Sequence, residues 1–309
     1  MNTVVVRTKL QAIIVNAMVE AGLIPGDVHL VLVAQDAADT SIRDIRHQAG
    51  RMSPPPRKTT VWLRGGVHMP FLFAHLLFCA WSARLRGHRL YAANVNWIAL
   101  GLALKLCPGQ AIFSFDDGSA NVQQRDSSYL SESATRRRGP LGWLIRSVFP
   151  NGCASFVRGR IERHCTIYPH LPNIAPASRV DIVGIDWEQL MSDADRRALP
   201  PGIRRILLGT VYEAILEPAG PIAAADVEQT RRWADLYIPH PRDRSGRERA
   251  EVFMKYPAES IIGHYAKTGE IVVAHYNSSA ALPFRELPGV HLVNLMVQPV
   301  SALQQAMAP

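Results

Sequence analysis

Three short stretches of the chain place reactive side chains directly after apolar runs. In FSFDDGSANV, Asp116 and Asp117 stand side by side ahead of Gly118. Adjacent carboxylates repel, which raises the pKa of one toward the range of a general base. In YIPHPRD, His240 lies between Pro239 and Pro241, with Arg242 next. An imidazole there can donate a proton near neutrality or, charged, pair with a phosphate. In HYNSSAAL, Ser278 and Ser279 bring two hydroxyls. If they open a helix, they also bring free N–H groups of the kind that hold phosphate. Each stretch alone also has an ordinary structural reading: DDG is a common turn and SSAA a helix cap. Their order and shared placement carry the weight.

That placement depends on the elements around them. TVVVR and VHLVLVAQD read as buried strands, and KLQAIIVNAMVEAG between them has helical spacing with a Gly stop. HRLYAANVN followed by WIALGLALKLCPG repeats the pattern, and QAIFSFDDG is a strand ending at the acids. SPPPRK and SSYLSESATRRRGPLG read as loops, and RVDIVGID as a further strand. A second alternating series follows, from RILLGTVYE through EIVVAHYNSS to GVHLVNLM, closed by a helix in QPVSALQQAMA. Alternation of this kind predicts an α/β fold with parallel sheets. The Pro- and Gly-containing stretch at 200–202 predicts two domains, 1–199 and 200–309. In open parallel sheets ligands collect outside the carboxyl ends of the strands, where all three polar stretches fall.

Composition narrows the class. Hydrophobic residues make up 48% and charged residues 19% of the 309, which suits sizeable cores rather than disorder. A net charge of +8 favours anionic partners. The interleaved aromatic and basic residues of nucleic-acid modules are missing, so no nucleic-acid partner is expected. The four cysteines form no CxxC pair and read as reduced, cytoplasmic thiols. The nearest ligand-like cluster, His164, Cys165 and His170 in HCTIYPH, matches no common zinc spacing, so no metal is expected. The opening residues read as a strand and a helix rather than a leader. The apolar stretch 69–87, interrupted by His75, is too short to span a bilayer and predicts a buried helix. Peripheral membrane contact, aided by Arg84, Arg86 and Arg89, is the alternative.

FDDGSAN, YIPHPRD and HYNSSAAL, in that order, resemble the acid-acid-Gly, HP and paired Ser/Thr motifs of bacterial sialyltransferases. Their context, with VVVRTKLQAIIVNAMV at the start, is most similar to glycosyltransferase family 52, the lipooligosaccharide sialyltransferases. The resemblance covers most of the chain. It implies a GT-B fold, two Rossmann-like domains with the active site in the cleft between them. It also implies inverting transfer of sialic acid from CMP-sialic acid to a terminal galactose of a bacterial surface glycolipid, without metal or other cofactor. Such enzymes act at the cytoplasmic face of the inner membrane and can form homodimers. Carried over by motif, His240 contacts the donor phosphate and acts as general acid, with Pro239, Pro241 and Arg242 around it. Ser278 and Ser279 hold the phosphate. Gly118 allows close approach in the acidic loop. Glu259, with Ser260 beside it, binds cytidine or ribose. The base is Asp116 first and Asp117 next, with Glu213 and Glu217 as alternatives from the loop after the first strand of the second domain.

Two other enzyme readings compete. A related glycosyltransferase with another nucleotide sugar, such as a glucosyl donor, would use the same residues. SFDDG also resembles the opening motif of metal-dependent polysaccharide deacetylases. Those need a later His-Ser/Thr-x-x-x-His pair, and neither HCTIYPH nor HYNSS fits it. A non-catalytic nucleotide-binding homologue is the reading outside enzymes.

Overall fold

In a computed structural model of the chain, residues 1–34, 40–63, 68–118, 121–122, 140–210, 222–240, 255–298 and 303 are described below. The chain divides into two compact units, Met1–Ile185 and Asp186–Pro309. The division falls ahead of the boundary expected at 199/200. The physical reason is the segment after Ile185, which is tied to the later chain. Lys267 Nζ lies 2.8 Å from Glu188 Oε2, His264 Nδ1 lies 3.1 Å from Glu188 Oε1, and the Tyr256 hydroxyl donates to Asp195 Oδ2 at 2.7 Å.

The first unit is a seven-stranded, all-parallel sheet. Its strands are β1 (Asn2–Val6), β2 (Val28–Ala34), β3 (Lys58–Leu63), β4 (Leu90–Ala92), β5 (Ile112–Phe115), β6 (Ile161–Thr166) and β7 (Val180–Ile182). Their order, β3-β2-β1-β4-β5-β6-β7, is that of a Rossmann sheet with one strand added, and the order reverses between β1 and β4. Every residue of β1 and β2 is buried, as expected for strands covered on both faces. The helices are α1 (Lys9–Glu20), α2 (Thr40–Ala49), α3 (His68–Arg86), α4 (Ile98–Leu106), α5 (Pro140–Val148) and α6 (Cys153–Arg158). Alternation along the strands sends Val5, Val31 and Val33 into one core with Leu72 and Leu76 of α3 and Leu100 and Leu104 of α4. The N-terminus of α1 is capped by Thr8, whose hydroxyl accepts from the Gln11 N–H at 3.2 Å.

The helix expected to be buried over 69–87 is α3, but it lies against the sheet by one face only and is not a buried helix. It buries Leu72, Leu76, Cys79 and Ala80 and leaves Phe71, Phe78, Trp81 and Leu85 exposed. No helix among the described residues is long and apolar enough to cross a membrane.

The second unit carries helices α7 (Asp193–Ala198), α8 (Ala224–Trp233) and α9 (Ala258–Thr268). Its parallel sheet has strands β8 (Arg205–Leu208), β9 (Leu236–Ile238), β10 (Ile271–His275) and β11 (Val290–Asn294), in the order β11-β10-β8-β9. This is the other common doubly wound order, and it reverses between β8 and β10. Leu207, Val272, Ala274 and Val293 pack with Val227 of α8. Each unit is thus a Rossmann-like α/β layer structure, the composition that a GT-B chain requires. The expected closing helix falls almost wholly outside the described residues, as does most of the 127–142 loop.

Candidate active site

In the first unit, the turn after β5 separates its two acids. Asp116 is fully buried. Its Oδ2 accepts from the Thr166 hydroxyl at 2.8 Å and the Ile167 N–H at 2.7 Å, and its Oδ1 lies 3.1 Å from His164 Nε2. His164 Nδ1 in turn lies 2.7 Å from Ser114 Oγ. Alternation along the strand then turns Asp117 the other way, and it is half-buried. Its Oδ1 accepts from Gln11 Nε2 at 2.6 Å, and its N–H donates to Asn121 Oδ1 at 3.2 Å. Gly118 takes φ +65°, which an L side chain rarely adopts, so the turn needs glycine.

Asp116, the first choice for a base, is therefore sealed into a network that joins β5 to β6. Asp117 is the acid with a route to solvent. Ser114, His164 and Asp116 have the residue types and order of contacts of a hydrolytic triad. At 1%, 0% and 0% exposure they offer no substrate access and act as a structural tie. This also explains His164 in HCTIYPH without a metal.

Gln11 was missed by sequence reasoning. It follows Thr8 in the spacing of a capping box, and it is the residue that couples the start of α1 to the acidic turn. The start of α1 lies at the carboxyl end of β1, beside the point where the strand order reverses.

In the second unit, three of the expected positions come to one edge of one sheet. His240 follows β9, Ser278 and Ser279 follow β10, and β8 lies between those strands. The two flanking strands are thus roughly 10 Å apart. Gly209, just after β8, is pressed against the HP segment. A Cβ placed there would stand 2.9 Å from the His240 backbone nitrogen and 2.6 Å from the Tyr237 hydroxyl. The Gly209 N–H also donates to the Ile238 carbonyl at 2.8 Å. Sequence reasoning passed over Gly209, whose importance depends on a neighbour far along the chain.

The loop after β10 is held from both sides. The Ser278 N–H donates to His275 Nδ1 at 3.2 Å. His275 is buried, and burial pulls its pKa down to about 4, so the ring is neutral at pH 7 and can accept that bond. Asn277 adopts a left-handed φ of +54°, and its Oδ1 accepts from Asn294 Nδ2 at 2.7 Å. Ser278 then begins a short 3₁₀ turn, Ser279–Phe284, without its side chain capping it. The hydroxyls, rather than a long helix dipole, are what this loop offers an anion.

Glu259 is the second residue of α9. Only Gly269 and Glu270 separate the end of α9 from β10, so the helix runs back along the sheet and its start lies at the same carboxyl edge. Glu259 is buried, which raises its carboxyl pKa, and it accepts from its own backbone N–H. The adjacent Ser260 hydroxyl is fully buried with no hydrogen-bond partner among the described residues. The pair is a buried polar spot at the start of α9 whose hydrogen-bonding capacity is not fully met among the described residues. Pro239 is half-buried beside His240. Pro241, Arg242, Glu213 and Glu217 lie outside the described residues.

Comparison with known proteins bears on this arrangement. Residues 80–298 match the model of glycosyltransferase family 52. Two proteins of Xylella fastidiosa that carry a provisional zinc metalloprotease name align with 70% of this chain. One, from strain Temecula1 / ATCC 700964, is 25% identical over 227 residues; the other, from strain 9a5c, is 24% identical over 228. The chain spans 44% of the length of each. Among solved structures, a UDP-N-acetylglucosamine 2-epimerase is 12% identical with a TM-score of 0.46, covering 98% of this chain and 85% of its own. The UDP-GlcNAc 2-epimerase of Neisseria meningitidis bound to UDP-GlcNAc is 9% identical with a TM-score of 0.40, covering 98% and 74%. These likenesses are too distant to assign a ligand.

Proposed function

The chain belongs to glycosyltransferase family 52, and from that premise we propose that it transfers sialic acid from CMP-sialic acid, with inversion, to a terminal galactose of a bacterial surface glycolipid. The observation that carries this reading is the common carboxyl edge of β8, β9 and β10 in the second unit. His240 follows β9, Ser278 and Ser279 follow β10, and Glu259 opens α9, so all are carried at that edge, where the strand order reverses.

The chemistry follows from those groups. As the sugar–oxygen bond breaks, positive charge grows on the sugar and negative charge on the departing CMP phosphate. The Ser278 and Ser279 hydroxyls donate to that phosphate, and His240 protonates or pairs with it. Each donor aimed at such developing charge is worth about 10²–10³ in rate. Asp117 is the proposed base for the acceptor hydroxyl, because Asp116 is committed to three buried partners. None of these steps calls on a metal.

Burial raises the pKa of Glu259, and where a bound donor's amino group offsets that burial the ionised carboxylate favours a cytidine over a uridine donor. A carboxylate accepts from the cytosine amino group, whereas uracil presents a carbonyl oxygen at the same position. The exposed Phe71, Phe78, Trp81 and Leu85 of α3, with Arg84, Arg86 and Arg89 close by, support peripheral binding to an anionic membrane surface. Co-sedimentation with anionic but not neutral vesicles tests that part.

The test of the activity is a donor panel. With CMP-sialic acid and a galactose-terminated acceptor, the protein is expected to release CMP without added metal. Glu259→Gln is expected to erode the preference for CMP- over UDP-sugars. Transfer from a UDP-sugar alone would replace the sialyl donor with the glucosyl alternative. Release of acetate from an N-acetylated glycan would favour the deacetylase reading.

A further inference from the structure

At the opposite edge of the first sheet, three potential metal ligands converge. His29 is the second residue of β2, and His75 and Cys79 lie one helical turn apart on α3. Their nearest ligand atoms all lie within 4.8 Å of one another. The Cys79 Sγ to His75 Nε2 distance is 3.6 Å. Metal–ligand bonds of about 2.0–2.1 Å to nitrogen and 2.3 Å to sulfur, at a tetrahedral angle, put those two atoms about 3.6 Å apart. We propose that His29, His75 and Cys79 form a structural site for Zn²⁺ or a comparably thiophilic divalent ion.

Several features around the cluster fit a metal better than three unrelated core residues. His29 and Cys79 are almost wholly buried, at 4% and 2% exposure, and a histidine so placed needs a reason. Burial, together with the nearby Lys58, lowers the pKa of both imidazoles, and burial raises that of the Cys79 thiol, so binding would have to displace the thiol proton, and the case for the site rests on its geometry. Thr60 Oγ1, 2.9 Å from His29 Nε2, steadies that ring, as an outer hydrogen bond does for metal-bound imidazoles. The Trp62 ring packs 5.4 Å from the His75 ring, and its buried indole N–H has no acceptor among the described residues. Two nitrogens and a thiolate select zinc over magnesium or calcium.

The position separates this site from group transfer. His29 lies five residues before the end of β2, roughly 16 Å of strand from the carboxyl edge. The metal would pin α3 to β2 rather than touch a substrate. Lys58 works against it, since its ammonium repels a dication, and this makes a variant with the opposite effect available.

The experiment uses the full chain, stripped with a strong chelator and then titrated with Zn²⁺ against a chromophoric competitor. Wild type is expected to take up a single ion, and to show a thiolate-to-metal absorption band when Co²⁺ replaces zinc. Cys79→Ser should abolish that band, and His75→Ala should weaken uptake roughly hundredfold or more. Lys58→Gln should tighten it. Circular dichroism of each variant controls for loss of fold. CMP release from CMP-sialic acid should be unchanged in His75→Ala below its melting temperature, so failure of this site and failure of the donor reading are distinguishable. Absence of stoichiometric uptake, or uptake indifferent to Cys79→Ser and His75→Ala, overturns the proposal.

Discussion

Gly209→Ala is a one-methyl probe of how the donor edge is assembled. The added Cβ would lie 2.9 Å from the His240 backbone nitrogen and 2.6 Å from the Tyr237 hydroxyl, whereas ordinary contact begins at 3.4 Å. The Tyr237 hydroxyl sits at the end of a side chain and can swing aside. The His240 nitrogen belongs to the backbone, and it must retreat by about 0.5 Å for the methyl to fit, at a cost of roughly 1–3 kcal/mol. Because the imidazole moves with its own backbone, its aim at the phosphate is lost. Displacements approaching 1 Å cost about 10² in rate. We therefore expect kcat for CMP release to fall by up to about a hundredfold, with a modest drop in melting temperature. Adding Tyr237→Phe relieves the hydroxyl clash but not the backbone one. The double variant should recover part of the stability and little of the rate. The two are read by steady-state CMP release and thermal melting. A Gly209→Ala protein with kcat within about twofold of wild type would refute the argument that the end of β8 positions His240.

The two acids should behave differently. Asp116→Asn replaces an acceptor of three buried donors with a group that must itself donate, and should cost about 3 kcal/mol in chemical denaturation. Asp117→Asn should leave stability nearly unchanged and lower turnover by about 10²–10⁴ at saturating donor. His275 has a pKa of about 4 folded and an ordinary value of 6.5 unfolded. Between those values the unfolded chain binds the proton and the native chain does not. Stability is therefore lost as pH falls from 6.5 toward 4, by roughly 3 kcal/mol in all. His275→Asn should flatten that part of the pH–stability curve measured by denaturant midpoint.

Much of this architecture is legible in the residues. Val-rich runs with no polar face, such as those of β1 and β2, announce strands covered on both sides, and the alternation with amphipathic helices announces parallel pairing. The three polar motifs could be placed at strand ends for the same reason. What was not legible is long-range. Neither β3 nor β6 stood out, since KTTVWL and IERHCT carry charged and polar residues that the fold satisfies at sheet edges and through Asp116. The order of strands, which brings β9 and β10 to either side of β8, is set by packing between distant segments. The division of labour between Asp116 and Asp117 could be reduced to one inward and one outward carboxylate, but which was which depended on His164 and Thr166, some 50 residues away. Residues 186–199 read as the end of the first domain because the Pro and Gly that mark a boundary come only at 200–202, yet Glu188 and Asp195 bind them to the second unit through partners at 255–267.

The central claim is that the second unit's sheet edge holds the donor phosphate through His240 and the paired serines. Its most direct measurement is single-turnover release of CMP from CMP-sialic acid by wild type, His240→Ala and the double variant Ser278→Ala/Ser279→Ala, with no metal added. The account predicts release by wild type, and a loss of about 10²–10³ or more in each variant with the circular dichroism spectrum intact. Variants that release CMP at the wild-type rate would contradict it.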